Sequence, residues 1–351
     1  MSRLKSVSLP LHTSYHLERK PVQGYGLLHT GPRKFRVNLS GLVTDIWHLV
    51  RHQVELSRPL YEKRRKIVSQ ISHFWPLVIE QAPPDIDEYI QPSDSSVLLQ
   101  SLTSLSVSHF EIENGGTGDP RSVAIRWEFS ENEHFEDKVI EKKFWYRHSS
   151  DGWAGLVSEP IEIKWKKGKD LTGGLLNMVK AVWDEEQAAV GTNGTTKSKK
   201  AKKTADDLTP KQKALKKKIE NTGLGGQSFF AWFGFIGRAI SAEESRIAVE
   251  EENEKRRLRK AGAEVPDSNN GAEDDEDNED DENDLEIFPE GDTLALAITD
   301  DLWPGAIKYF TQAQEQDDMS DVDFESQEED SEDEQPQDAS PGERPFKKVK
   351  V

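Results

Sequence analysis

The chain has no cysteine, no long apolar run and little hydrophobic character overall. Without cysteine it can form no disulfide, no cysteine-zinc site and no thiol nucleophile. No stretch approaches the roughly 20 apolar residues of a membrane helix, and the N-terminus lacks the apolar core of a signal peptide. Because only 34% of the 351 residues are hydrophobic, much of the chain cannot be buried. We expect a soluble, intracellular protein with a compact domain and long polar segments.

Catalytic and metal-binding motifs are also missing. The sequence has no HExxH, no GxGxxG, no phosphate-binding loop and no GxSxG elbow. His48 and His52 lie four residues apart on a predicted helix, but no third ligand accompanies them. Carboxylates are plentiful, yet in tails they cannot hold the geometry that acid–base catalysis requires. We expect a non-enzymatic protein without a metal or cofactor.

Negative charge is what the chain has in excess. Its 65 Asp and Glu against 46 Lys and Arg give a formal net charge of -19, which attracts basic partners and repels naked nucleic acid. Residues 273–286 hold 11 acidic residues in 14, and residues 315–334 hold 12 in 20. Such runs do not fold alone. Lysine runs at 197–203 and 347–350 suit nuclear import, so we expect a nuclear protein that shuttles with the cytoplasm.

A heptad-like apolar series marks a helix near the N-terminus. Its members step by 4, 3, 4, 3 and 4 residues, which is typical of a helix that packs on another helix; with Gln53 they are Leu42, Ile46, Leu49, Leu56 and Leu60. We predict a dimerisation helix over 41–72 with a kink at Pro59. A single amphipathic helix on its own core would show a similar pattern. Residues 1–40 are broken by proline and glycine, and we expect them to be disordered.

Alternating apolar residues then predict a sheet. Period two runs through four segments, at 105–110, 123–129, 139–146 and 161–165. The links between them are short and rich in turn residues, which favours antiparallel hairpins. With helices before and after, the fold class is α+β: a dimerisation helix, a four-stranded antiparallel sheet with helices packed on one face, and an acidic disordered tail.

The remaining segments define the domain boundaries. The aromatic stretch QSFFAWFGFIG (227–237) is too apolar for solvent, and we predict its burial beneath the sheet. We expect disordered loops near 184–206 and 262–286 within a domain over 73–312. An acidic tail over 313–351 ends in a basic cluster.

Five segments match a known family in order and spacing: SRPLYEKRRKIVSQISHFWPLV (57–78), ENEHFEDKVIEKKFWY (131–146), IEIKWKKGKDLT (161–172), SFFAWF (228–233) and ITDDLWPGAIKYF (298–310). They resemble the nucleosome assembly protein/SET histone-chaperone family, most closely its SET-like branch. The resemblance implies a homodimer held by a long antiparallel helix pair, with a domain on each arm that binds core histones. The family's long uninterrupted helix is broken here over residues 1–40. Either the helix is shortened, or a gene-model error lies upstream of about residue 51.

The resemblance and the charge pattern together suggest binding residues. Carboxylates on a rigid surface can form bidentate pairs with arginine, and the candidates for histone binding are Asp300, Asp301, Glu131, Glu133 and Glu136. Each could equally cap a helix or lie in a solvated turn. Basic residues around Trp165 could contact DNA or histone, or line a solvated strand edge; they are Lys164, Lys166, Lys167 and Lys169.

The predicted function is that of a histone chaperone in nucleosome assembly and chromatin remodelling. Its expected partners are core histones and a second copy of the chain. Histone-modifying enzymes and chromatin DNA are further candidates, and no membrane is expected. The alternative is an inhibitor or adaptor of another enzyme, either a protein phosphatase or a histone acetyltransferase.

Overall fold

The computed structural model describes residues 39–193, 208–223, 226–261 and 285–316. Within these ranges, side chains are described except at residues 39–46, 190–193 and 259–260. The predicted N-terminal segment 1–40, most of the loop near 262–286 and most of the tail over 313–351 lie outside the described residues.

Helix α1 spans Leu39–Val68. It remains helical on both sides of Pro59, although proline has no amide hydrogen to donate to the carbonyl four residues earlier. The helix ends at Val68, before the predicted end at 72. The amide of Ser69 donates to the Arg65 carbonyl at 3.1 Å and that of Gln70 to the Ile67 carbonyl at 3.0 Å, which closes the last turn.

Three short helices follow α1, and the second and third of them begin at a proline. They are α2 (Phe74–Glu80), α3 (Pro84–Asp87) and α4 (Pro92–Ser101). Proline suits the first position of a helix because the amide there has no partner within the helix. Asp94, in the first turn of α4, is fully buried. Its carboxylate accepts hydrogen bonds from the Gln91 amide at 3.0 Å, the Ser228 hydroxyl at 2.6 Å and the Phe229 amide at 2.7 Å.

The sheet is a four-stranded antiparallel meander. Its strands lie side by side in chain order, and they are β1 (Leu102–Ser108), β2 (Val123–Phe129), β3 (Val139–His148) and β4 (Ala154–Ser158). In the register Leu105 lies opposite Trp127, which lies opposite Ile140. Helices precede and follow this sheet, so the predicted α+β class is confirmed.

Two details of the predicted sheet are wrong. The fourth strand is β4, before Pro160, and not the segment 161–165. That segment alternates because Ile163 and Trp165 pack on the core from a loop. Trp165 forms an isolated antiparallel bridge with Phe135, which lies between β2 and β3. In β3 the inward residue is Ile140, whereas Val139 is 39% exposed.

Further helices close the domain around a short 3-10 turn. They are α5 (Leu175–Asn193), α6 (Pro210–Thr222), the turn Phe229–Gly234, α7 (Ala242–Lys260), α8 (Gly291–Ala297), a π turn (Ile298–Leu302) and α9 (306–316). Helix α5 extends into the predicted loop near 184–206, where the residues DEEQAA favour a helix; residues 184–193 are therefore helical. None of the described helices has both the length and the apolar character needed to cross a lipid bilayer.

The aromatic turn lies at the centre of the core. Phe229, Phe230, Trp232 and Phe233 are each at most 1% exposed. Rings of the turn pack on the sheet, with Trp127 at 5.3 Å from Phe229 and Phe144 at 5.3 Å from Trp232, centroid to centroid. The indole of Trp232 donates to the Gly291 carbonyl at 2.8 Å. The predicted burial of this stretch beneath the sheet is confirmed.

Candidate functional site

The loop between β2 and β3 carries three predicted binding carboxylates and has a fixed conformation. The side-chain oxygen of Asn132 accepts hydrogen bonds from the amides of His134 at 2.8 Å and Phe135 at 3.0 Å. An asparagine that bonds to amides two and three residues ahead stabilises a tight turn. Phe135 anchors the loop from below, because it is 2% exposed and packs on Phe129 and Phe230.

The segment 161–172 lies directly beside this loop. The amide of Glu136 donates to the Lys164 carbonyl at 3.0 Å, and the amide of Lys166 donates to the His134 carbonyl at 2.7 Å. The ring of Trp165 packs edge-on against Phe135, with centroids 5.7 Å apart. The segment 161–172, one of the five that resemble the family, thus holds the β2–β3 loop in place.

The predicted lysines and the three predicted glutamates therefore form one surface of mixed charge. We call it the loop surface and define it as residues 131–137 and 164–169. The Lys166 ammonium donates to the Asn132 carbonyl at 2.6 Å, and Lys169 lies 3.3 Å from the Glu133 carboxylate. Lys164 and Lys167 are exposed. Glu131 and Glu136 are also exposed and have no ion-pair partner among the described residues.

Asp300 and Asp301 lie elsewhere, in the π turn after α8. Asp301 accepts a hydrogen bond from the Tyr309 hydroxyl at 2.9 Å, and its backbone carbonyl accepts from the Gly305 amide at 2.8 Å. This carboxylate positions α9 as well as facing solvent. Burial raises the pKa of Asp300, and nearby His109 opposes that shift. Within the described residues, no hydrogen bond or ion pair joins this turn to the loop surface.

The turn is joined instead to α1 through Arg64. The Arg64 guanidinium donates to the carbonyls of Trp303 at 2.6 Å and Pro304 at 3.2 Å. It also lies 4.6 Å from the ring centroids of both Tyr61 and Trp303, which pack against each other. The face of α1 that contains Arg64 and Val68 is thus packed on its own domain.

An adjoining face of α1 carries the predicted seam. Leu49, Leu56 and Leu60 are 65%, 68% and 65% exposed, and Ile67 continues the same stripe at 63%. The side chains of Leu42 and Ile46 lie outside the described residues. A helix with one face packed and the other lined by exposed leucines has a free apolar surface.

Sequence reasoning missed two charged residues that backbone hydrogen bonds hold against the aromatic turn, Lys142 and Glu286. Lys142 is fully buried in β3, and its ammonium donates to the carbonyls of Glu159, Phe233 and Phe235 at 2.9, 3.1 and 2.9 Å. Burial lowers its pKa to about 7, and the nearby carboxylates of Glu286 and Glu159 oppose that shift. Its place in β3 between Ile140 and Phe144 was a usable signal, because alternate residues of a strand share a face.

Glu286, the second of these residues, lies at the end of the first acidic run. Its carboxylate accepts hydrogen bonds from the amides of Ile236 at 2.9 Å, Gly237 at 3.1 Å and Phe288 at 3.1 Å. Burial raises the pKa of Glu286, and these three hydrogen bonds oppose that shift. The sequence placed Glu286 in a solvated loop, and the structure places it against the aromatic turn.

A family model described as nucleosome assembly protein (NAP) matches residues 60–313, more than half of the chain. The chain therefore belongs to the nucleosome assembly protein family, as its motifs suggested.

Curated relatives carry the names of the same family. A nucleosome assembly protein of Schizosaccharomyces pombe is 35% identical over 133 residues, covering 35% of this chain and 52% of that protein. Protein SET of Drosophila melanogaster is 34% identical over 121 residues, covering 33% and 41%. The chain thus spans about half the length of these relatives. The crystal structure of the Vps75 histone chaperone matches with a TM-score of 0.45 and 20% identity, over 79% of this chain and 95% of that chain.

Proposed function

We propose that this chain is a non-enzymatic histone chaperone that binds core histones and acts in nucleosome assembly and chromatin remodelling. The observation that carries the proposal is the fixed position of Glu131, Glu133 and Glu136 on the loop surface of a NAP-family domain. The net charge of -19 supports a basic partner.

Carboxylates on a loop of fixed conformation explain how the folded domain could select its partner beyond the attraction of opposite charges. An arginine that meets a preorganised carboxylate forms charge-assisted hydrogen bonds without the entropic cost of ordering the loop. Glu131 and Glu136 are open to such contacts, whereas an arginine at Glu133 must replace Lys169. The acidic runs at 273–286 and 315–334 would add electrostatic attraction for a basic partner without specific contacts.

The loop surface is tested by neutralising its three glutamates together. Glu131→Gln, Glu133→Gln and Glu136→Gln remove three charges and leave the loop's backbone hydrogen bonds in place. We expect core-histone affinity to fall at least about tenfold, since one charge-assisted hydrogen bond contributes about 1.5 kcal/mol or more. Isothermal titration at physiological salt measures this effect.

A matched control separates the effect of where the glutamates lie from the effect of net charge. Glu243→Gln, Glu250→Gln and Glu254→Gln remove the same number of charges from the exposed surface of α7. These changes should weaken binding by less than the loop triple does. If both triples weakened binding equally, net charge alone would explain histone binding and the loop surface would have no special role.

The partner chain in the proposed homodimer would bind along the leucine stripe of α1. Exposed apolar residues at heptad spacing are typical of a helix that pairs with another, and the adjoining face of α1 is occupied by its own domain. Leu56→Glu with Leu60→Glu should convert a dimer of 39.8 kDa chains to a monomer in size exclusion with light scattering. Glu55→Ala with Lys66→Ala, exposed on the same helix, should leave the dimer intact. A wild-type monomer would contradict this part of the proposal.

We also propose a nuclear location with shuttling to the cytoplasm, supported by the lysine runs at 197–203 and 347–350. Both runs lie outside the described residues. Lys164 and Lys167 are the candidates for DNA contact on the loop surface, because Lys166 and Lys169 already bond to the loop. Lys164→Ala with Lys167→Ala should weaken binding to histone–DNA complexes and leave binding to free histones unchanged.

A further inference from the structure

A cleft runs between α1 and the outer edge of β1. Its volume is about 510 Å³, and one wall is formed by the domain-facing side of α1 from Val54 to Ser69. All seven residues from Thr103 to His109 line the other wall. Alternate residues of a strand point to opposite faces of a sheet. A cleft lined by consecutive residues therefore lies along the strand's edge and not over one face.

The outer edge of β1 is free to form hydrogen bonds. β1 pairs with β2 on its inner edge, and among the described residues the backbone of Thr103–Ser108 has no other hydrogen-bond partner. Proteins usually protect such edges with bulky charged side chains or proline. Here Ser104, Ser106 and Ser108 are small, so an added strand could approach the backbone closely.

We propose that residues 346–351 of this chain, FKKVKV, bind in the cleft as an additional strand on β1. These residues lie outside the described part of the chain. Their sequence alternates Lys348 and Lys350 with Val349 and Val351, as expected for a strand with one apolar and one basic face. The cleft offers apolar rings at Tyr61, Trp75 and Trp303 for the valine face. Its carboxylates, Glu62, Glu113 and Glu128, lie among Arg58, Arg64 and Arg65, and Glu128 already pairs with Arg126, so the cleft has no excess of negative charge for the lysine face.

The connection to the domain is long enough. Trp303 lines the cleft, and helix α9 begins only three residues later and ends at residue 316. The 29 residues from 317 to 345 can span up to about 95 Å when extended. A tether of sufficient length gives the attached strand an effective concentration in the millimolar range. A modest intrinsic affinity is therefore enough to fill the cleft.

The absence of cysteine allows a direct crosslinking test in the full chain. Ser106→Cys is combined in turn with Lys347→Cys, Lys348→Cys, Val349→Cys or Lys350→Cys, and disulfide yield is measured under mild oxidation. Opposed residues of paired strands have Cβ atoms about 4.5 to 5.5 Å apart, while their sequence neighbours point to the other face. We expect high yield at two alternate positions and low yield at the two between them.

Controls give the test a clear negative outcome. Glu55→Cys, on α1 but outside the cleft, replaces Ser106→Cys as the reference for a loosely tethered segment. Equal yields at all four positions, or yields no higher than with Glu55→Cys, would overturn the proposal and place the basic segment elsewhere, for example on the acidic run 315–334. Core histones are absent from this experiment, so its failure would leave the proposed function untouched.

Hydrogen–deuterium exchange provides an independent readout without cysteines. Val349→Pro removes an amide and blocks strand pairing while keeping the segment's charge. The amides of Leu102–Ser108 should exchange faster in this variant than in the wild-type chain. Ser340→Pro, outside the proposed strand, should leave their exchange unchanged. Identical β1 exchange in all three proteins would contradict strand addition.

Discussion

Neighbouring residues of the same type have opposite environments in this protein. Lys142 is fully buried and bonded to three carbonyls, whereas Lys143 is exposed beside Glu141. Arg64 packs against two aromatic rings, whereas the side chain of Arg65 is 67% exposed. The buried members join distant segments of the fold, and the exposed members are available to solvent and partners.

This difference shows why net charge is an incomplete description of the chain. A value of -19 counts Glu286 with the rest of the acidic run, although its carboxylate is held by three backbone amides beside the aromatic turn. Buried charges are retained where hydrogen bonds replace their lost hydration. Charge that can bind histones is therefore the exposed part, including Glu131 and Glu136 on the loop surface.

We expect the largest loss of unfolding free energy when Lys142 is substituted. Lys142→Met leaves Glu286 without a nearby buried cation and removes one hydrogen bond from each of three carbonyls. The Phe233 carbonyl keeps its bond from the Ile161 amide, whereas the Phe235 carbonyl loses its donor. A buried polar group left without its hydrogen-bond partner typically costs about 1 to 3 kcal/mol of unfolding free energy, and several groups lose a bond here, so we expect a loss of about 3 to 5 kcal/mol. Urea denaturation followed by tryptophan fluorescence measures it.

The neighbouring lysine provides the control for that experiment. Lys143→Met should change the unfolding free energy by no more than about 0.5 kcal/mol, because its side chain is exposed and its ion pair is on the surface. Equal effects of the two substitutions would remove the distinction between buried and exposed charge in β3.

A smaller loss is expected at Arg64. Arg64→Ala removes two hydrogen bonds to carbonyls and the contacts with Tyr61 and Trp303. We expect a loss of about 2 to 3 kcal/mol from the charged hydrogen bonds and cation–π contacts together. Arg65→Ala, which removes only an ion pair at 3.7 Å, should have little effect on the same urea unfolding curve. Similar midpoints for the two variants would show that Arg64 does not anchor α1.

The smallest expected effect is on the pH dependence of stability, and it concerns His109, which is partly buried. Burial lowers the pKa of His109, whose Nδ1 lies 2.6 Å from the Pro120 carbonyl. Arg58 reinforces that shift, while Asp300 and Glu113 oppose it. Because the folded-state pKa lies below the unfolded value, stability is full above pH 6.5 and falls as pH drops through 6.5. The slope for one such proton is at most about 1.4 kcal/mol per pH unit.

Thermal unfolding at pH 7.5 and 5.5 tests this expectation. His109→Gln should reduce the loss of stability between the two pH values, and His52→Gln, exposed on α1, should not. If the two variants had the same pH dependence as the wild-type chain, burial of His109 would not contribute to it.

Local patterns in the sequence predicted what local physics determines. The period of two found three of the four strands, and the aromatic density of 228–233 predicted its burial. Heptad spacing found the stripe of α1 that includes Leu49, Leu56 and Leu60. The same local reasoning chose 161–165 over β4, because Ile163 and Trp165 alternate as clearly in a loop that packs on the core.

Contacts between distant segments were beyond such reasoning. Arg64 bonds to a carbonyl 239 residues away, and the Lys142 ammonium to carbonyls 91 and 93 residues away. No periodicity encodes these distances. For the same reason, no pattern in the sequence indicated that Lys169 and Glu133 would pair, or that the predicted acidic and basic candidates would share the loop surface.

The central claim is that the folded domain contributes to histone binding beyond what charge alone provides. The most direct measurement compares core-histone affinity at physiological salt for the full chain and for polyglutamate of equal net charge. We predict tighter binding by the full chain. Binding no tighter than that of polyglutamate would contradict the claim.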